Sequence, residues 1–548
     1  MLFLNWRRLG PSLFFFGLTF LVAAYYSVYD VDPHHDGAIF KPALDVSQGL
    51  MLYRDTFSQY GALFTLLTAA GLKIFGPYVL VLRIMAAFFY GLVGAMLWLL
   101  GERLLPRWLA ALIVLLWLGV AGYIGGWFLA WSSIYALFFQ LAAVYFLLRY
   151  QEDEEDKRGA EKHWQQWLVL AGLMAALAFW CRQPTGVLQM GAMVMFLSIR
   201  RLRPLPNWRE TWYLVRPLLL GFVLGVLPIL GWIVLNGALK DWYLQNIIFG
   251  SLFLKYFGQS SDIRYVLRHL FPFFNLGSYQ PGSLLYGMLP VLNLAGLVLL
   301  VSKMWSGGTL QGRDAVAYAI GLSSLASWTQ YYPFPDDGLH AYWAATPMMP
   351  MAAWLMWSVV ESARKRRWVR AGLPAATVVV ACLLLLFGSR LHVVGKAALD
   401  NGRNDWVRIE QPKQLRGLIL SPQLAARYQY INNVLATYVA NHPQTTVISA
   451  HRENLQITFS PNGRNFHPLT QDSDAGAPWL MPELYPQYYQ EFKQYVNQNK
   501  PLIIARPGLE LPPGYREIEI IPSYGNRDET IHLLAPIESP TVLDGVPH

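Results

Sequence analysis

The sequence predicts a polytopic α-helical membrane protein of about eleven transmembrane helices, followed by an external α/β domain of ordinary polarity. Three observations carry this prediction. Hydrophobic residues make up 54% of the 548-residue chain and charged residues 14%. The mean hydropathy is +0.30, and the apolar residues gather in runs of about 18 or more, the length of a helix that spans a bilayer. A soluble enzyme and a disordered chain are both excluded. An aromatic share of 15% suits a protein with two membrane interfaces to anchor and a groove in which sugar rings stack.

In chain order, the candidate spans fall near residues 10–29, 77–100, 108–128, 130–149, 164–181, 184–199, 214–235, 281–301, 315–330, 341–359 and 371–388. The basic residues orient them. With the N-terminus cytoplasmic, the inside segments hold twenty Lys and Arg, among them Arg7, Arg8, Arg200, Arg201, Arg203, Arg364, Lys365 and Arg366, against eight in the outside segments before residue 389. The net charge of +9 is therefore a topology signal and not a nucleic-acid footprint. The first span has full length and is followed by others, so it reads as an anchor and not a cleaved signal peptide. An odd number of spans divides the chain into a membrane domain, 1–388, with its first external loop over 30–76, and an external soluble domain, 389–548. Cys181 and Cys382 lie in or beside apolar spans and make no disulfide framework.

The tail holds 14 Lys plus Arg against 15 Asp plus Glu. Its pattern predicts a helix over Leu424–Val439, a strand over Thr446–Ala450, a helix over Pro482–Asn499 and a strand over Pro501–Arg506, an α/β layer arrangement. Residues Gly402–Leu420 read as an irregular linker. The tail has no Gly-rich phosphate loop, GxSxG elbow or HExxH, so it is expected to bind or cover and not to catalyse.

The acids mark the functional face. Outside the tail, ten of the 19 Asp and Glu fall in cytoplasmic loops. Of the nine external ones, Asp30, Asp32, Asp36, Asp45 and Asp55 are in the first external loop. After Asp36, the spacing of Ile39, Phe40, Ala43, Leu44 and Val46 predicts a short helix along the membrane surface with Asp36 near its start. A carboxylate there can act as a general base on an alcohol, and it can equally serve as a helix cap in a solvated loop. Arg83 is the only charge well inside a span, which makes it a candidate to bind substrate or to pair with a loop carboxylate.

The loop has the form Asp-Gly-x-x-x-x-x-Ala-x-x-x-x-x-Gly-x-x-Leu-Tyr-Arg-Asp over 36–55. Together with a cytoplasmic N-terminus and a Leu-Arg-containing second span, it resembles the GT-C glycosyltransferases, in the branch of protein O-mannosyltransferases and the lipid A aminoarabinose transferase. The resemblance implies transfer of a sugar from a polyprenyl-phosphate carrier at the external face, with the first-loop base falling on Asp36. It places the carrier phosphate on Arg182, in Phe179-Trp-Cys-Arg-Gln-Pro-Thr-Gly186, where a planar guanidinium at a helix end suits a phosphate. By the same resemblance His340, in Tyr331-Tyr-Pro-Phe-Pro-Asp-Asp-Gly-Leu-His340, is a further candidate phosphate ligand, and Arg83, as a charge inside a span, is another. Asp336 and Asp337 are expected to contact sugar or acceptor, as are Asp30, Asp32, His35, Tyr53, Arg54 and Asp55.

Where the aminoarabinose branch carries a second Asp, after the third span, this chain reads Trp127-Phe-Leu-Ala-Trp-Ser-Ser-Ile-Tyr135. A second carboxylate must then come from Asp30, Asp32, Asp55 or the 336–337 pair. A carrier phosphate leaves easily, so one base and one cation suffice, and in-line attack with inversion is expected.

Asp30, Asp32, His34, His35 and Asp36 also have the residue types of a divalent-metal site, and the fold-related oligosaccharyltransferases use one beside such a loop. In this family a loop like 236–280 gates the clefts, although its aromatics also suit a plain interfacial helix. The acceptor class stays open among glycan, lipid and protein. A transporter or flippase should show more intramembrane charge and repeated halves, whereas an external ligase or phosphotransferase would use the same face. A bacterial inner membrane is expected, because the tail has no disulfide and no endoplasmic retention signal.

Overall fold

A computed structural model describes residues 6–124, 128–155, 164–199, 207–249, 281–331, 338–365, 405–451, 453–465, 486–507, 512–523 and 530–537. Helices occupy ten of the eleven expected spans; the eleventh, 371–388, and the domain boundary at 388 lie outside the described residues. The helices are α1 (Trp6–Ser27), α4 (Val79–Leu104), α5 (Arg107–Gly119), α6 (Ser132–Glu155), α7 (Trp164–Cys181), α8 (Gln183–Ser198), α9 (Trp208–Leu235), α11 (Pro281–Trp305), α12 (Gly312–Tyr331) and a last span broken at Pro347 into α13 (Gly338–Ala345) and α14 (Met349–Lys365). By length and composition, Leu9–Ser27, Val79–Leu104, Ser132–Asp153 and Trp208–Leu235 are each able to cross a bilayer. On α9 the exposed Leu220, Val223, Leu224 and Leu227 form a stripe suited to lipid.

Small residues and buried amides hold the bundle together, as lipid-embedded packing requires. A Cβ added at Gly172 of α7 would lie 2.0 Å from the Leu218 carbonyl oxygen of α9, and one at Gly221 would lie 1.9 Å from that of Val169. Across α6, α8 and α12, the Gln140 amide donates to the Ser323 carbonyl at 2.6 Å and Gln189 donates to the Ser323 hydroxyl at 3.0 Å.

Two helices lie within the segment expected as the first external loop: α2 (His35–Ser47) and the apolar α3 (Ala62–Phe75). The expected helix near Asp36 is present, but its residues from Asp36 to Asp45 are all buried, so it does not lie open on a surface. The reason is the tail. A Cβ at Gly37 would sit 2.4 Å from the Leu455 nitrogen, and the Leu455 N–H donates to the Pro33 carbonyl.

Residues 407–420 are not irregular. Strands β1 (Val407–Arg408) and β2 (Ile419–Leu420) pair antiparallel. Backbone groups left unpaired at the end of α1 use β2: Asp30 donates to the Ile419 carbonyl at 3.0 Å, and Ile419 donates to that of Val28 at 2.8 Å. The helix α15 (Pro422–Asn441) is capped by the Ser421 side chain, and it leads into β3 (Val447–Ala450), β4 (Gly463–Arg464), α16 (Pro486–Asn499), β5 (Leu502–Ala505), β6 (Tyr515–Ile521) and β7 (Ile531–Pro536). The sheet order is β4-β3-β5-β7-β6, parallel among the first three and antiparallel beyond. Strands β3 and β5 are buried throughout, which is why they read as short, predominantly apolar runs, broken only by Ser449.

Candidate active site

The segment between α1 and α2 turns on Asp30, a non-glycine residue at φ 61°. It brings Asp32, His35 and Asp36 to the end of the bundle where α4 begins. Asp36 lies in the first turn of α2 without capping it; the N-cap is His34, which makes no side-chain cap bond. Its carboxylate is closed on both oxygens. Arg83 Nη2 approaches Oδ2 at 2.5 Å and Nε approaches Oδ1 at 3.3 Å, while the Asp32 N–H donates to Oδ2 at 3.0 Å. The Arg83 Nη1 donates to the carbonyls of Ser27, Tyr29 and Asp30 at 3.2, 3.0 and 2.8 Å. This guanidinium is therefore engaged in holding the loop, the pairing with a loop carboxylate that was one of its two expected roles, and it offers no free fork for a phosphate. Burial pushes the Asp36 carboxyl above its usual range, outweighing the pull of Arg83.

Asp32 is placed differently. Its Oδ2 meets His35 Nδ1 at 2.8 Å, and its Oδ1 accepts from the backbone of His34 and His35. The two side chains keep 15% and 19% of their surface open, against 1% for Asp36. Burial alone would raise the Asp32 carboxyl; the hydrogen bond and charge of His35 outweigh it and hold the group well below the usual range.

From His35 a wall of rings runs inward. Its ring centroid lies 4.8 Å from that of Trp131, which lies 5.4 Å from Tyr60, 6.0 Å from His340 and 6.4 Å from Trp343. Tyr60 interacts electrostatically with Arg182. Arg182 is the N-cap residue of α8, part-buried, and its Nη1 donates to the Ser133 hydroxyl at 2.8 Å. Among the described residues it has no carboxylate partner. Gly61 sets this junction, since a Cβ there would lie 2.1 Å from the Trp180 carbonyl oxygen.

The remaining expected residues serve the frame. Tyr53, at φ 72°, donates its hydroxyl to the Tyr60 carbonyl at 2.9 Å. Arg54 binds Asp55 through two nitrogens and the Asn236 carbonyl through a third, tying the loop to the turn after α9. Beyond that turn lie α10 (Leu239–Tyr243) and a π-helical turn, Leu244–Ile248, whose Gln245 donates to the Tyr53 carbonyl at 2.7 Å. Asp336, Asp337 and residues 250–280 of the expected gate lie outside the described residues. For a divalent metal the donors do not converge: Asp36 faces Arg83, while Asp32 and His35 face each other. Among the described residues, no three His, Cys, Asp or Glu side chains converge on one point. The sequence reading passed over Trp131, Tyr60 and Ser133, because an aromatic or a serine in an apolar run carries no signal of its own; the stretch Trp127–Tyr135 drew attention only for lacking an acid.

The described residues thus form a bundle of apolar helices with an acidic first loop and a sheet-bearing tail docked on that loop. The sequence profile of the dolichyl-phosphate-mannose-protein mannosyltransferase family matches residues 61–232. The structure is similar to ArnT from Cupriavidus metallidurans in the apo state, with TM-score 0.52, 12% identity, and 96% of this chain and 98% of that chain covered. For ArnT bound to undecaprenyl phosphate the corresponding figures are 0.53, 11%, 95% and 97%. For the apo Archaeoglobus fulgidus oligosaccharyltransferase they are 0.50, 10%, 92% and 70%. The chain spans 63% of the length of the acceptor-tethered form of that oligosaccharyltransferase. No curated protein matches in sequence. The profile covers less than a third of the chain, and the likeness to these structures, at 10–12% identity, shows a shared fold.

Proposed function

We propose that this membrane glycosyltransferase moves a sugar from a polyprenyl-phosphate carrier to a hydroxyl group of a glycan, lipid or protein acceptor, with inversion, at the external face of a bacterial inner membrane. In this reading the N-terminus is cytoplasmic, residues 1–388 form the membrane domain, and the tail 389–548 is a periplasmic domain. The observation that carries the reading is Arg182: a part-buried guanidinium with no carboxylate partner among the described residues, at a helix start where N–H groups also favour an anion. The ring wall through Trp131 links it to Asp32. ArnT, which shares the fold over nearly its whole length, binds undecaprenyl phosphate.

In the proposed step the acceptor oxygen bonds to the anomeric carbon as the bond from that carbon to the phosphate oxygen breaks. The electron pair leaves on the phosphate, whose charge Arg182 stabilises. The acceptor proton passes to Asp32, held in place by His35. Asp36, which the loop motif marks as base, anchors the loop through Arg83 in this scheme because its carboxylate is almost wholly buried, whereas that of Asp32 is partly exposed. A weak base such as Asp32 is sufficient when the leaving group is good. His340, with its ring against Trp131, lines the same wall and is the second candidate for contact with the phosphate.

Titration of the purified protein with undecaprenyl phosphate tests the donor site. The reading expects binding that Arg182→Gln weakens about 10- to 100-fold, the worth of hydrogen bonds to a charged group. Absent or unaltered binding contradicts it.

A further inference from the structure

Trp131 stands between the two ends of the proposed reaction axis. One ring neighbour, His35, is the partner of Asp32; another, Tyr60, is the neighbour of Arg182. If the phosphate lies on Arg182 and the acceptor hydroxyl at Asp32, the sugar must lie along this wall. Trp131 is 92% buried, since its relative exposure is 8%. Its Nε1, with the hydroxyl of the adjacent Ser132, has no hydrogen-bond partner among the described residues. An unmade buried donor costs free energy, and an indole N–H has one bond to give.

Buried indoles elsewhere in the bundle do find partners: Trp117 donates to the Thr346 hydroxyl at 2.8 Å, and Trp343 to that of Tyr90 at 3.0 Å. Trp98, Trp180 and Trp242 share the unpartnered nitrogen, but their ring neighbours are Phe15, Phe179 and one another. Trp131 alone among these sits against the partner of an open carboxylate. At the place where a related branch carries an acid, this chain offers a neutral donor on a flat ring.

We infer that Trp131 and Ser132 form the subsite for the donor sugar, the indole N–H and the serine hydroxyl hydrogen-bonding to ring hydroxyls of a phosphate-linked monosaccharide beside the Trp131 ring. This rests on the donor reading above.

The test uses the full chain in nanodiscs and two kinds of probe: undecaprenyl phosphate, and undecaprenyl phosphate carrying one hexose, hexosamine or pentose. The wild type is expected to bind at least one glycosylated probe more tightly than the bare carrier. Trp131→Phe, which keeps a ring and removes the N–H, should weaken that probe about tenfold while leaving the bare carrier within about twofold. Ser132→Ala, with little change in packing, should show the same selective loss in smaller degree. Equal weakening of both probes by both variants, or no weakening of the glycosylated one, overturns the subsite. So does a wild type that binds the bare carrier and gains nothing from any sugar, which leaves the donor-phosphate reading intact. A wild type that binds no probe overturns both.

Discussion

Asp36 and Arg83, 47 residues apart, form a bidentate ion pair with almost no exposed surface on either side chain. The same guanidinium collects three carbonyls from the end of α1, so one side chain fastens the first loop to α4. Asp36→Asn would leave that cation buried without its counter-charge. Breaking a pair of this kind costs about 3–5 kcal/mol, so the variant is expected to melt well below the wild type by scanning calorimetry. An unchanged melting temperature with transfer abolished would return the base role to Asp36, as the loop motif implies.

Asp32→Asn removes the open carboxylate and none of the anchoring contacts to Arg83. Transfer should fall by about 10²–10⁴-fold, the usual worth of a general base, with a smaller loss of melting temperature than Asp36→Asn, because only the pair with His35 is weakened. An activity within a few fold of wild type in a donor-saturated assay would remove Asp32 from the scheme.

The depressed Asp32 also has a pH signature. Because His35 holds this carboxyl below its usual range against the effect of burial, the pair stabilises the fold above the ordinary Asp value of about 3.9, and that contribution is lost as the pH falls through the lowered value. In a pH–rate profile the acid limb should therefore lie below that of an ordinary carboxylate, and His35→Ala should move it to higher pH. A limb that does not move would show that His35 does not tune Asp32.

The tail is bound to the loop by a buried cluster. Lys41 donates to Asp45 at 2.5 Å and to the Gly463 carbonyl at 2.7 Å; Asp45 accepts from Thr56 at 2.7 Å; and Asn465 donates to the Phe57 carbonyl at 2.9 Å. Lys41→Met strands Asp45, and Gly37→Ala drives a methyl into the Leu455 backbone. Both variants should release the tail faster under limited proteolysis and lower the melting temperature, Lys41→Met by about 3–5 kcal/mol of stability. A tail acting as an independent lid would leave the rate of proteolysis unchanged in both variants.

Much of the architecture was legible because it follows from one-dimensional patterns. Apolar runs marked the helices, and the largely apolar stretches Thr446–Ala450 and Pro501–Arg506 marked the two central strands of the sheet. The hairpin of β6 and β7 was not read, and neither were β1 and β2, which exist because backbone groups at Val28 and Asp30 needed partners. At the site, the sequence singled out the acidic first loop but not how its carboxylates are paired. That Asp36 is closed while Asp32 keeps part of its surface exposed depends on where Arg83 of a later helix arrives. That Trp131 meets His35, Tyr60 and His340 depends on the packing of four separate segments.

The central claim is transfer of a sugar from a lipid phosphate with Asp32 as proton acceptor. It is tested most directly by mass spectrometry of the cell-envelope glycolipids, glycans and glycoproteins in cells carrying the wild-type gene, no gene, or Asp32→Asn at matched protein levels. The account predicts loss of the same single sugar from one acceptor in the last two strains, with the sugar-charged carrier accumulating. An unchanged pool, an acceptor lacking a whole preassembled glycan, or full modification in the Asp32→Asn strain would contradict it.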